Sequence, residues 1–230
     1  MDATRERPHA LADEYARLVE DTPRRGTDLA LRTLDLVLAA LLALLSLPLA
    51  VLIAGGIVAT TGLPVFYRGQ RVGRGGRIFT MVKFRTLRSG AEQRIGAYLG
   101  PELVERTRAE YTAIGRWLRA TQLDEIPQFW NVLKGDMSLV GPRPIRPRFF
   151  EELAADLPAY WQRLVVRPGL TGFAQVRHGY ETPMADKLAH DLEWIADRSV
   201  PLYLRTIGAT AWRVFRQSLR ALFRPATGTP

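Results

Sequence analysis

From Leu36 to Ala59 the chain reads LVLAALLALLSLPLAVLIAGGIVA, without a charged residue. As a helix, about 24 such residues span roughly 36 Å, enough to cover the hydrocarbon thickness of a bilayer. The run lies well inside the chain and is longer than the apolar stretch of a secretory leader, so it reads as a retained membrane element. A core helix of a soluble protein is the bland alternative. At the midpoint stands Ser46-Leu47-Pro48, where proline removes a backbone hydrogen bond and bends the helix, and where the serine hydroxyl is placed to serve a carbonyl freed by the bend. Arg24, Arg25 and Arg32 precede the run, while Arg68, Arg71, Arg74 and Arg77 follow it. Basic clusters favour the cytoplasmic side, so a re-entrant helix-break-helix over residues 32–64 satisfies both ends, whereas a simple span would export one cluster.

The flanking chain divides around this element. Residues 1–31 carry Leu11, Tyr15, Leu18 and Val19 at helical spacing among charges, which predicts a surface amphipathic helix. Residues 65–200 read as a cytoplasmic catalytic domain. In it Val65 to Val72 and Arg77 to Thr86 have strand character around the turn Gly73-Arg74-Gly75-Gly76, predicting a β-hairpin. Helices are expected over Glu102 to Arg119, Asp124 to Leu133, Arg148 to Val165 and Thr182 to Ile195. Residues 201–230 form a basic helix and tail: Leu204, Ile207, Ala211, Phe215, Leu219 and Leu222 fall on one face, with Arg213, Arg216, Arg220 and Arg224 opposite. That pattern suits the membrane interface, and equally an ordinary packed helix. The fold class is therefore α+β and mainly helical: a membrane helix-break-helix, a small hairpin, cytoplasmic helices and interfacial amphipathic helices.

A net charge of +9 calls for an anionic partner, and the absence of cysteine excludes thiolate nucleophiles, disulfides and cysteine-ligated metals. The lipidic segment disfavours nucleic acid, whose binders carry an arginine stripe without one. Carboxylates, hydroxyls, lysines and three histidines remain for chemistry, and the densest stretch is Ile114 to Pro144. Asp124 can cap a helix, Pro127 is tolerated in the first turn and Gly135 suits the stop, which would put Asp124 and Glu125 at the positive end of a helix. There the ionised form required of a nucleophile or a magnesium ligand is favoured, although a cap and a first-turn acid would look the same. Arg119, Arg143 between Pro142 and Pro144, and the same-face pair Lys83 and Arg85 add cations suited to phosphate oxygens. An anionic substrate with a divalent metal is the economical reading. The glycines of the hairpin turn match no dinucleotide fingerprint.

The order of motifs resembles that of the bacterial sugar transferase family, the monotopic phosphoglycosyl transferases. The matching pieces are Arg32–Asp35 (RTLD), Lys83–Thr86 (KFRT), Leu123–Gln128 (LDEIPQ), Asn131–Pro144 (NVLKGDMSLVGPRP), Arg167–Gly172 (RPGLTG), Ala174–Val176 (AQV) and Lys187–Asp191 (KLAHD). The resemblance runs from Arg32 to about Phe215 and suggests the small form of the family, the catalytic unit. It implies a two-step reaction in which Asp124 attacks the β-phosphate of a UDP-sugar, UMP leaves, and polyprenyl phosphate takes the phosphosugar from the enzyme. It further implies Mg2+ at Asp124 and Glu125, phosphate contacts from Lys83, Arg119 and Arg143, and a nucleotide-sugar pocket shaped by Arg167 and Gln175. For Arg167 a structural turn is an equal alternative. The implied setting is the cytoplasmic face of the bacterial inner membrane, with membrane lipids and downstream glycosyltransferases as partners and a surface glycan as the end product. Departures are Leu31 before Arg32, Ile145 after the Pro-Arg-Pro turn, Arg177-His178 after Gln-Val, and Trp194. They bear on sugar specificity and not on reaction class; His178 and His190 read as structural. The readings to be separated are this enzyme, a single-displacement variant in which Asp124 only binds metal, and an inactive membrane scaffold.

Overall fold

The computed structural model describes residues 26–95, 100–177 and 184–223. The expected N-terminal amphipathic helix, Arg24, Arg25, His178, Arg224 and the tail lie outside them. The first element, α1 (Gly26–Thr61), is a single helix of 36 residues, long and apolar enough to cross a membrane by length and composition. It continues through Pro48, so the expected break into two helices is not seen. A proline costs one hydrogen bond, yet its φ is already helical and the apolar neighbours keep propagating the helix. Ser46 Oγ donates to the Leu42 carbonyl at 2.6 Å, not to that of Leu44, which Pro48 leaves without its usual donor.

The sheltered positions of α1 follow one stripe: Leu31, Asp35 and Ala39, then the half-covered Ala43, Ser46 and Ala50, then Ile53 and Ile57. The remaining faces expose Val37, Leu44, Leu45, Leu47, Val51 and Leu52. Both ends of the helix are tied to the same body. Arg32 donates to the carbonyls of Val132 (2.9 Å) and Leu133 (3.3 Å), and Asp35 accepts from Ser138 Oγ, the Leu139 amide and Tyr203 Oη at 2.8–2.9 Å. At the far end Arg85 closes on the terminal carbonyls, and Ile53 and Ile57 pack with Phe84 and Leu118.

Strands β1 (Phe66–Val72) and β2 (Ile78–Phe84) form the expected antiparallel hairpin, with Phe66 opposite Phe84 and Val72 opposite Ile78. Its turn needs Gly75 and Gly76 at φ of 69° and 71°, where a side chain is strained. Short helices α2 (Ala91–Ile95) and α3 (Gly100–Ala109) precede α4 (Ala113–Thr121). The single helix expected over 102–119 is thus broken. Thr112 caps α4 by accepting the Gly115 amide at 2.9 Å, and Gly115 lies so close to the Thr86 carbonyl that a Cβ would fall 1.9 Å from its oxygen.

Helix α5 (Gln128–Lys134) stops at Gly135, whose φ is 94°. Asn131 on α5 knits it to the open edge of β2, accepting the Val82 amide and donating to the Thr80 carbonyl, so the edge is satisfied without a third strand. A second sheet went unanticipated: β3 (Ser138–Val140) pairs in parallel with β4 (Gly169–Thr171), neither of which was expected as a strand. Helix α6 (Pro147–Asp156) ends at Leu157, because Pro158 forces its predecessor out of the helical region, and a 3-10 stretch continues over Pro158–Val165. Helices α7 (Phe173–Arg177), α8 (Met184–Asp197) and α9 (Val200–Phe223) follow. Helix α9 docks through Tyr203, Thr206 and Thr210, while Leu204, Ala211, Phe215 and Leu219 of the expected apolar stripe stay exposed.

Candidate active site

The site is built where α4 gives way to α5. Gln122 closes α4 at a φ of 58°, a left-handed conformation that costs a non-glycine residue roughly 1 kcal/mol or more. The chain then makes a 3-10 turn over Leu123–Glu125, and α5 opens only at Gln128, with Pro127 in the capping place and no side-chain cap. Asp124 is therefore not the helix cap that its position suggested, and the dipole argument for its ionisation falls with it. Its charge is managed by neighbouring cations instead.

Asp124 is 2% exposed, and its Oδ2 faces Arg119 Nη1 at 3.2 Å. Burial pushes its carboxyl above the ordinary range, against the pull of Lys83 and Arg119. Glu125 behaves oppositely. Burial opposes its charge, but Lys83 and Arg143 overcome that and hold it at about 2. Lys83 Nζ hydrogen-bonds Glu125 Oε1, and Arg143 Nη2 meets the same oxygen at 3.3 Å. Lys83, the penultimate residue of β2, is itself pushed below the usual lysine range by burial, with Glu125 acting against that. Arg119 also donates to Tyr111 Oη at 3.3 Å, a residue without any mark in the sequence. Lys83, Arg119, Arg143, Asp124 and Glu125 thus converge, with three cations on two carboxylates.

The other sequence candidates do not join them. Arg85 spends its guanidinium on the carbonyls of Thr61, Gly62 and Leu63, so it closes the C-terminus of α1. Its same-face relation to Lys83 is lost because it stands beyond the end of β2. Arg167 donates to the Gly135 carbonyl at 3.0 Å and sits beside Arg32, supporting the α1–α5 junction. Gln175 uses its amide on the Leu170 carbonyl at 3.3 Å, close against Gly172. His190 pairs with Glu193 at 3.0 Å on the outer side of α8.

Two groups that matter were missed. The loop carrying Arg143 is braced by the buried Arg163, which donates to the Arg143 carbonyl (3.1 Å) and to the buried Asp191 (2.7 Å) and Tyr160 Oη (2.6 Å). A charged pair at positions 28 residues apart leaves no periodic signal. Arg213, expected on the solvent side of α9, faces inward: it donates to the Gln175 carbonyl, and its charge is felt by Arg143 and Glu125. Backbone contacts allow the fit: Gly141, Gly169 and Gly172 approach one another so closely that a Cβ on any would lie 2.1–2.5 Å from main-chain atoms. A shallow cleft lined by Val72, Pro142, Arg143 and Phe150 borders the group, and neither carboxylate lines it.

Among the described residues no three His, Cys, Asp or Glu side chains gather as a closed metal cage. The carboxylate pair nevertheless suits a hard cation, since Asp124 Oδ1 and Glu125 Oε2 accept no hydrogen bond among the described residues. Magnesium takes one or two carboxylates and completes its shell with water and substrate phosphate.

Residues 27–217 match the family model described as bacterial sugar transferase. The chain is 40% identical over 196 residues to the UDP-glucose:undecaprenyl-phosphate glucose-1-phosphate transferase of Caulobacter vibrioides, covering 80% of this chain and 71% of that protein. It is 37% identical over 172 residues to the UDP-N-acetylgalactosamine-undecaprenyl-phosphate N-acetylgalactosaminephosphotransferase of Aeromonas hydrophila, covering 74% of this chain and 40% of that one. A Salmonella typhimurium undecaprenyl-phosphate galactose phosphotransferase is 35% identical over 170 residues, covering 70% and 35%. The chain thus spans well under half the length of the latter two.

Proposed function

Because the chain belongs to the bacterial sugar transferase family, we propose that it moves a sugar 1-phosphate from a UDP-sugar to undecaprenyl phosphate with release of UMP, initiating a surface glycan. The observation that carries the reading is the carboxylate pair held by Lys83, Arg119 and Arg143. A diphosphate and a lipid phosphate are both anions, and this cluster keeps positive charge in excess around the carboxylate that would attack phosphorus.

In the first step an Asp124 oxygen bonds to the β-phosphorus, the bond to the bridging oxygen breaks, and UMP leaves with that oxygen. In the second an oxygen of the lipid phosphate bonds to the same phosphorus and the Asp124 carboxylate is released. Arg119 covers Asp124 and is itself 32% exposed at its side chain, so an arriving diphosphate can draw the guanidinium off Oδ2 and uncover the nucleophile. Glu125, ionised and tied to Lys83 and Arg143, fixes both cations for the phosphate oxygens. Asp124 and Glu125 would hold Mg2+, which supplies charge neutralisation between carboxylate and diphosphate.

The setting we propose is the cytoplasmic face of the inner membrane, with residues 32–64 re-entrant, 65–200 catalytic and 201–230 interfacial. Two observations support it: both ends of α1 are tied to one body, and its apolar middle is exposed. Lipid is the solvent that such a surface requires.

The test is Asp124→Asn against wild type, incubated with UDP-glucose, UDP-galactose and UDP-N-acetylgalactosamine in turn. UMP release by wild type, its loss by at least about 1000-fold in the variant, and an aspartyl phosphosugar adduct at Asp124 by mass spectrometry are expected. Transfer without an adduct would favour a single displacement. No release from any donor would favour a scaffold.

A further inference from the structure

Helix α9 presents its two sides to different partners. Its outer side exposes Trp212 at 61% and Phe215 at 54%, with the rings stacked at 6.0 Å, and continues through Leu204 and Leu219. Its inner side packs on α4, the helix that carries Arg119, and on α7, the helix that carries Gln175. A hydroxyl contact of 2.7 Å between Thr210 and Thr171 on β4 fixes how α9 is turned. That rotation sends Arg213 inward, one residue from the exposed Trp212.

We infer that Arg213 receives the phosphate of the lipid acceptor, a role that rests on the proposed transfer reaction. Its guanidinium donates one N–H to the Gln175 carbonyl, and its buried Nε finds no partner among the described residues. A buried donor left unmatched is costly, and arginine's planar fork is suited to a phosphate with several acceptor oxygens. Arg143 and Glu125 are the charged groups that act on it most, so it belongs to the electrostatic field of the carboxylate pair. With Arg213 included, Lys83, Arg119 and Arg143 make four cations against two carboxylates.

A phosphate here has two possible sources, nucleotide diphosphate and lipid headgroup. The apolar side of α9 favours the lipid. A polyprenyl tail lying along Trp212, Phe215 and Leu219 brings its headgroup over the edge of α9 that bears Arg213. A UDP-sugar has no use for that stripe.

The experiment compares full-length wild type, Arg213→Ala and Arg213→Lys in detergent. Steady-state kinetics should show KM for undecaprenyl phosphate raised about 10- to 100-fold in Arg213→Ala, partly recovered in Arg213→Lys, with KM for the UDP-sugar changed less than about threefold. Undecaprenyl phosphate should raise the melting temperature of wild type more than undecaprenol does, and Arg213→Ala should lose that difference. A larger effect on the UDP-sugar KM would assign Arg213 to the nucleotide, and unchanged KM values or an unchanged melting difference would overturn the inference. If Arg213→Ala fails to fold, Arg213→Lys is read by the same criteria. Wild type that releases no UMP yet keeps the phosphate-dependent stabilisation would sink the proposed reaction while leaving Arg213 as a lipid-phosphate ligand.

Discussion

Replacing Lys83 with methionine and Glu125 with glutamine, singly and together, tests whether the cations hold the site. Glu125 is brought from 4.5 to about 2 in the fold, which at about 1.4 kcal/mol per pH unit is about 3 kcal/mol in favour of its charged form. Arg143 reaches it at 3.3 Å with a side chain 47% exposed, so solvent screens its share. Lys83, buried and in direct contact, supplies the larger share of the cations' pull. Lys83→Met strands a carboxylate and should lower the melting temperature by about 4–8 °C in a matched detergent. The double variant removes both charges and should recover most of that loss, a coupling of about 2 kcal/mol. The sign with pH follows from the direction. Glu125 is lower in the fold than its unfolded 4.5, so its contribution is present above that value and disappears as pH falls toward about 2. The gap between wild type and Lys83→Met should accordingly close on acidification. Costs that add to within about 0.5 kcal/mol, or a gap still at its full neutral-pH size at about pH 3, would refute the cation-held pair.

Asp124 responds the other way: burial raises it above 3.8, so its charge burdens the fold at neutral pH. Asp124→Asn should abolish transfer yet melt no lower than wild type, and the acid limb of wild-type activity should lie above the ordinary carboxylate range; a clear drop in melting temperature would contradict this. Gly115→Ala drives a methyl against the Thr86 carbonyl and should cost about 1–3 kcal/mol in thermal unfolding, an unchanged melting point arguing against the close approach. Asp191→Asn leaves Arg163 buried without its ion pair and should cost about 3–5 kcal/mol. The double variant Arg163→Met with Asp191→Leu should regain much of that stability but not kcat, since the Arg143 carbonyl has lost its donor; full recovery of kcat would remove the brace from the site.

The hairpin and the carboxylate pair were legible because their signals are local. Alternating strand residues around a glycine-rich turn, and two acids followed by proline, need only their neighbours to make sense. The helices expected over 102–119 and 148–165 were drawn too long for the same reason: Thr112 and Pro158 punctuate runs whose composition still looks helical. Sheet β3–β4 joins segments about thirty residues apart, and such parallel pairing carries no periodic mark in three-residue strands. Arg85 illustrates the limit for single cations. Its composition and spacing matched a phosphate ligand, and the fold used it to close a helix.

The sequence alone determined that an uncharged apolar run precedes a hairpin and a mainly helical stretch, that thiol chemistry is excluded, and that acids and cations cluster around Asp124, because composition and short-range spacing express these directly. The tertiary structure decided which cations meet the carboxylates, turned Asp124 from a helix cap into a buried group facing Arg119, and rotated α9 so that Arg213 points inward beneath an exposed apolar stripe. Those outcomes depend on which side of each helix is packed. Packing is settled by long-range contacts that no stretch of chain encodes by itself.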